Sequence, residues 1–181
     1  MSQSPTAFVD RDGVINRKRP EGDYVNIRAQ FEPLPGSIEA LAALSRAGYI
    51  IVIVTNQQGI AKGVTDSSFV DALHIELVDS VAAAGGTIDQ VQVCSHLAGT
   101  CECRKPAVGL FEQARAKDPR IDFARSVVIG DSQSDIEAAL QIGARPVLVT
   151  ADAGATLRTD GVTEVADLAA AAEMLTEVAS V

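Results

Sequence analysis

Residues 50–56 read Ile50-Ile51-Val52-Ile53-Val54-Thr55-Asn56, and the fold class follows from them. Five consecutive apolar β-branched residues, Ile50 to Val54, are stiff at χ1 and suit a pleated strand. The run does not alternate apolar with polar, so both faces of this strand are expected to be buried. A strand buried on both faces belongs inside a parallel sheet with helices on either side. The most apolar stretch, 49–54, is strand-sized and far short of the roughly 20 residues that span a bilayer, so no membrane partner is expected.

Helical and strand patterns alternate outward from this run. Ala7–Val9 reads as a strand before it, and Ser37–Ala47 as an amphipathic helix ended by Gly48. Beyond it come a helix over Ser67–Ala84, a strand over Gln90–Cys94 and a helix from about Pro106 to Lys117. A strand over Val127–Ile129, a helix from about Ser134 to Gln141, a strand over Pro146–Thr150 and a closing helix over Val165–Val178 complete the series. This order predicts an α/β fold, a Rossmann-like three-layer sandwich with a central, mostly parallel sheet wound right-handed. One domain over residues 1–181 is expected, with no large inserted cap. The loop from Arg17 to Pro35 is long, and long loops in compact domains are usually functional.

Composition narrows the function. The chain of 181 residues has 24 acidic and 15 basic side chains, a formal charge of −9, which argues against a nucleic-acid partner. Apolar residues make up 47%, enough for a core, but aromatics only 4%, so that core is aliphatic. The start, MSQSPTAF, lacks a basic and apolar leader pattern, and the three cysteines crowd into residues 94–103; a cytoplasmic monomer is expected.

The chemistry-bearing residues sit where parallel sheets bind ligands, at the carboxyl ends of strands. Asp10-Arg11-Asp12-Gly13 follows the first strand. Its two carboxylates could be pushed apart in pKa, giving a nucleophile or metal ligand and an acid, or could merely form an Asx turn with Gly13. Thr55-Asn56-Gln57 could donate hydrogen bonds to a phosphoryl oxygen or simply end the strand. In Arg104-Lys105-Pro106, proline at a first helical position would put Lys105 at a helix N-terminus, where anions bind. Asp131, in Gly130-Asp131-Ser132-Gln133-Ser134-Asp135, leaves a strand as a hard oxygen ligand suited to Mg²⁺; Asp135 could bind metal, cap the helix or brace the site, and bracing is the favoured reading.

Cys94-Ser95-His96 followed by Cys101-Glu102-Cys103 offers three thiolates and an imidazole, a closed tetrahedral set for structural Zn²⁺. The other reading is three free thiols and a satisfied histidine. His74, within a helical pattern, reads as a packing residue. Arg17, Lys18 and Arg19 form either a phosphate-attracting cluster or a solvated basic turn.

DRDG at 10–13, TN at 55–56, RKP at 104–106 and GDSQSD at 130–135, in this order, resemble the haloacid dehalogenase-like phosphatases. The resemblance implies Asp10 as nucleophile, Asp12 as general acid and base, and Thr55 and Lys105 holding the phosphoryl group. It further implies Mg²⁺ on Asp10, the main-chain carbonyl of Asp12, and Asp131. With Tyr24-Val25, VTNQQGIAKG at 54–63 and the cysteine loop, the chain resembles the D,D-heptose 1,7-bisphosphate phosphatases, whose zinc loop histidinol-phosphate phosphatases share. That resemblance implies a sugar-phosphate substrate losing its C7 phosphate, with Arg17, Tyr24, Asn56, Gln57 and Arg104 as candidate substrate contacts. The alternatives are a histidinol-phosphate phosphatase and a zinc-stabilised binding module without turnover. Cations at Arg17–Arg19 and Arg104 favour a second phosphate over the ammonium of histidinol phosphate.

Overall fold

β2 (Ile50–Asn56) lies next to the middle of its sheet, buried on both faces from Ile50 to Thr55. The computed structural model describes residues 4–150 and 161–178, so the N-terminal stretch read for a leader lies partly outside the described residues. With β1 (Thr6–Val9), β3 (Gln90–Cys94), β4 (Val127–Gly130), β5 (Arg145–Val149) and β6 (Thr163–Val165), it forms a six-stranded sheet of order β3-β2-β1-β4-β5-β6. Every pairing is parallel, with Phe8 of β1 beside Val52 on one side and Val128 on the other.

Period-two alternation along β1 and β2 feeds two separate cores. Ala7, Val9, Ile51 and Ile53 pack with Leu41 and Leu44 of α1 (Ser37–Arg46), Leu77 and Val81 of α3 (Ser67–Ala83) and Leu175 of α6 (Leu168–Val178). Phe8, Val52 and Val54 face the other way, against Leu110 and Phe111 of α4 (Gly109–Lys117) and Ala138 and Ala139 of α5 (Gln133–Ile142). Helices on both faces give the expected three-layer sandwich. Each fully buried aliphatic side chain contributes about 1.5–3 kcal/mol, so the strands that carry the site rest on the best-packed part of the molecule.

Three boundaries differ from the sequence reading. Val165, read as the start of the last helix, instead ends β6, which pairs with β5, and the helix begins at Leu168. Gln58–Ala61 forms one short helical turn, α2, where the sequence suggested only a turn. The helix expected from Pro106 begins at Gly109, because residues 102–108 are committed elsewhere: Gly109 N donates to Glu102 O, and Ala107 N to Arg104 O.

Candidate active site

The chain leaves β1 at Val9, and the Asp10 amide still donates to Ile129 O of β4. The next residues curl back, with the Ile15 and Asn16 amides both donating to Arg11 O. Gly13 makes this turn possible. Its φ is +94°, and a Cβ there would lie 2.2 Å from Asp131 Oδ2, so only glycine lets the β4 loop close onto the β1 loop.

Lys105 is buried at the meeting point of three strand ends. Its Nζ lies 2.9 Å from Asp10 Oδ1 and 2.6 Å from Asp135 Oδ1, and donates to Val54 O at 2.8 Å. Burial works against the ammonium, but Asp10 and Asp135 outweigh it and hold its pKa above the ordinary lysine value. Lys105 is not at a helix N-terminus, as the sequence reading had it. Its bond to Pro106 is cis, and its backbone is clamped by Asn56, whose Oδ1 accepts from Lys105 N and whose Nδ2 donates to Lys105 O. Asn56, expected to contact substrate, therefore serves first to fix the lysine.

Gln57 is diverted in the same way. Its Nε2 donates to Asp12 Oδ2 at 2.7 Å and to Thr55 Oγ1 at 2.8 Å, so both of its N–H groups are spent on the protein. Thr55 accepts that bond and keeps its own hydroxyl hydrogen to donate. It lines a cleft of about 250 Å³ with Asp10, Asp12, Arg104, Lys105 and Asp131. Asp12 also receives Arg11 Nη2 at 2.9 Å on both oxygens and Asn16 Nδ2 at 2.9 Å.

The two carboxyls of the first loop are indeed driven apart. Burial, with Asp135 and Asp12 nearby, pushes Asp10 up to about 7 in spite of Lys105. Burial would also raise Asp12, but Arg11, Asn16 and Gln57 overcome it and hold that carboxyl below its ordinary value. This split runs opposite to the roles implied for the pair, because burial prevails over Lys105 at Asp10, whereas Arg11, Asn16 and Gln57 prevail over burial at Asp12. A divalent cation beside Asp10 would lower it, and a phosphate dianion beside Asp12 would raise it.

Asp10, Asp131 and Asp135 each place a carboxylate oxygen within 4.8 Å of the others. Asp131 Oδ1 is buried and has no protein partner, while Oδ2 meets Lys18 Nζ at 2.6 Å. Hard oxygens in this number, one of them unclaimed, fit a divalent cation such as Mg²⁺. Asp135 combines the roles read for it separately: it caps α5, with its Oδ2 accepting from Ser132 Oγ at 2.5 Å, it pairs with Lys105, and it lies in the carboxylate cluster. A Cβ on Gly130 would lie 2.2 Å from the Asp135 side chain, so that glycine is what lets Asp135 come so near the strand.

A second cleft of about 260 Å³ adjoins the first and is lined by Lys18, Arg19, Tyr24, Gln57 and Arg104, among others. Arg104 Nη1 is buried there without a protein partner. Tyr24 packs so near Gly59 that a Cβ there would lie 2.8 Å from its ring. Arg17 is not in this cleft: it pairs with Glu32 at 3.2 Å and lines a neighbouring groove. The chain turns there to run back beside itself, with Arg17 N bonded to Glu32 O, and the still exposed Lys18 reaches Asp131. Lys18 does not stand out in the sequence; the basic run 17–19 marks the loop but not which side chain reaches the site.

Cys94, His96, Cys101 and Cys103 also converge. Sulfur–sulfur separations are 3.3 Å to 3.6 Å, and His96 Nδ1 lies 3.2 Å from Cys103 Sγ and 3.8 Å from Cys94 Sγ. Tetrahedral zinc with Zn–S bonds of about 2.3 Å needs sulfurs about 3.8 Å apart, so these four atoms fit one ion with a small expansion. The free-thiol alternative gives no reason for such convergence.

The family model described as HAD-hydrolase-like matches residues 102–180. A D-glycero-beta-D-manno-heptose-1,7-bisphosphate 7-phosphatase of Pseudomonas putida is 39% identical over 173 residues, covering 93% of this chain and 97% of that one. The chain belongs to the haloacid dehalogenase-like phosphatases, in their heptose 1,7-bisphosphate 7-phosphatase family. The phosphatase is also 44% identical over 138 residues to a D-glycero-alpha-D-manno-heptose-1,7-bisphosphate 7-phosphatase of Mycobacterium tuberculosis, covering 76% of this chain and 72% of that one. Its fold superposes with a TM-score of 0.87 on the D,D-heptose 1,7-bisphosphate phosphatase of B. bronchiseptica, crystallised with magnesium and phosphate; identity is 32%, and 96% and 99% of the two chains are covered.

Proposed function

We propose that this phosphatase removes the C7 phosphate of D-glycero-D-manno-heptose 1,7-bisphosphate through an aspartyl-phosphate on Asp10. The observation that carries the reading is Lys105: a buried ammonium 2.9 Å from Asp10, at the floor of a cleft that opens onto Arg104 and Lys18. A carboxylate approaching a phosphate dianion meets like charge, worth about 4 kcal/mol for each pair of unit charges at 4 Å and an effective dielectric of 20. Lys105 offsets that repulsion at the attacking oxygen, and Thr55 donates its hydroxyl hydrogen to the phosphoryl group. Asp12, once protonated, gives its proton to the leaving alkoxide and then, as a carboxylate, takes one from the water that attacks the aspartyl-phosphate.

Mg²⁺, held by Asp10 and Asp131 with the Asp12 main-chain carbonyl, supplies further charge neutralisation and alignment of the phosphoryl oxygens. Asp135 lies near enough to add a ligand or to brace the others. Zn²⁺ on Cys94, His96, Cys101 and Cys103 fixes the loop that ends in Arg104 and Lys105; it is structural, since four protein ligands leave no open position.

Arg104, with Lys18 and Arg19, receives the second phosphate, and Tyr24 closes that end of the cleft. These cations favour a bisphosphate over histidinol phosphate, whose ammonium they would repel. A monomeric single domain in the cytoplasm is part of this reading; Cys94, Cys101 and Cys103 are free of disulfides, which suits a reducing compartment. Phosphate release measured across heptose 1,7-bisphosphate, histidinol phosphate and nucleotide monophosphates tests the assignment. Heptose bisphosphate should show the highest kcat/KM; preference for histidinol phosphate would overturn it.

A further inference from the structure

His74 is a buried titratable group that the reaction above does not use. It sits on the inward stripe of α3 with Val70, Leu73, Leu77 and Val81, at a position where leucine would complete an apolar face. Beside it, Val25, Phe31 and Leu73 form a small apolar cluster. Into this setting the chain sends a guanidinium. Arg11 is 1% exposed, its Cζ lies 5.8 Å from the Phe31 ring centroid, and its Nη1 lies 3.3 Å from His74 Nε2.

Arginine is always a donor, so His74 Nε2 must be the acceptor and the ring hydrogen sits on Nδ1. The ring is neutral: burial and the neighbouring Arg11 push its pKa down to about 4. From the other end of the same guanidinium, Nη2 reaches both oxygens of Asp12 at 2.9 Å. A buried arginine with one unshared end would swing or draw in water; an acceptor on α3 fixes that end, and thereby fixes the end that touches Asp12.

We propose that His74 and Arg11 are positioning residues for Asp12, a relay from the middle of α3 that holds the acid–base carboxylate in register with the leaving-group oxygen. The inference rests on the assignment of Asp12 as acid and base. Small displacements of a proton donor are costly to the step that uses it, and cost little where no proton is needed. The signature is therefore dependence on the leaving group, which a merely structural histidine would not give.

The test is kcat/KM, which reports the steps through loss of the leaving alcohol, for His74→Leu on an alkyl phosphate and on 4-nitrophenyl phosphate. On the alkyl ester, whose alkoxide needs a proton, the loss should be on the order of tenfold. On the nitrophenyl ester, whose phenolate leaves unaided, it should be severalfold smaller. His74→Gln, whose Oε1 can accept from Arg11 Nη1, should recover most of the alkyl-ester rate. Equal losses on the two esters, or no recovery in His74→Gln, would overturn the relay. Asp12→Asn keeps the two levels apart. If it also loses equally on both esters, the acid–base assignment has failed; if it keeps the leaving-group dependence while His74→Leu does not, only the relay has.

Discussion

The two ligand clusters of this phosphatase lie within one stretch of strand ends and solve opposite problems. The carboxylate cluster of Asp10, Asp131 and Asp135 has too much like charge to be stable by itself; Lys105 and Lys18 offset part of it, and Asp131 Oδ1 is left unclaimed. The thiol cluster of Cys94, His96, Cys101 and Cys103 offers four ligand atoms within 4.8 Å of one another, the full set for tetrahedral zinc with no position left for a substrate. A site for turnover stays open and electrostatically strained, whereas a site for stability closes on itself. Their connection is covalent, since Cys103 is followed directly by Arg104 and Lys105.

Breaking the open cluster should have the largest effect. Asp10→Asn should lower kcat at least about 10⁴-fold, as loss of a nucleophile does, while circular dichroism and melting stay close to those of the parent. A residual rate within a hundredfold would remove Asp10 from that role.

Breaking the closed cluster should spare the chemistry but not the fold around it. Metal analysis should find about one zinc per chain, and Cys101→Ser or a strong chelator should lower the melting temperature by about 10 °C or more. Zinc-free protein that melts like the parent would end the structural assignment.

Arg104, between the two clusters, sharpens the comparison. Arg104→Ala should raise KM for a bisphosphate about 10- to 100-fold, the range for losing one charge-assisted contact, and for an aryl monophosphate much less. Equal changes on both would take it out of second-phosphate recognition. Arg17→Ala gives the smallest effect. Its partner Glu32 is surface-exposed and Arg17 lines neither cleft, so the loss of a pair worth about 0–1 kcal/mol should leave kcat/KM within about fivefold. A tenfold loss would mean that Arg17 reaches the substrate after all.

These contrasts also explain what could be read from the sequence. β2, the alternation of strands and helices and the strand-end motifs were legible because burial and backbone chemistry act locally along the chain. The grouping of Asp10 with Lys105 and Asp131 was legible through motif order and the geometry of parallel sheets. The protein partners of Asn56 and Gln57 were not legible, because side-chain amides bond equally well to substrate or protein and only the fold shows which groups are near. The cis bond before Pro106 and the clamp by Asn56 lay outside any local rule for where a helix starts. β6 was hidden because three residues, Thr163–Val165, carry too little pattern to stand apart from the helix after them. His74 looked like a packing residue, since its partner Arg11 is 63 residues away in sequence.

The most direct measurement is chemical trapping of the intermediate. Enzyme quenched in acid during turnover and reduced with borohydride should carry homoserine at position 10, the product of an aspartyl-phosphate on Asp10, as read by peptide mass spectrometry. Unmodified Asp10 under conditions of full turnover, or reduction at another carboxylate, would contradict the account.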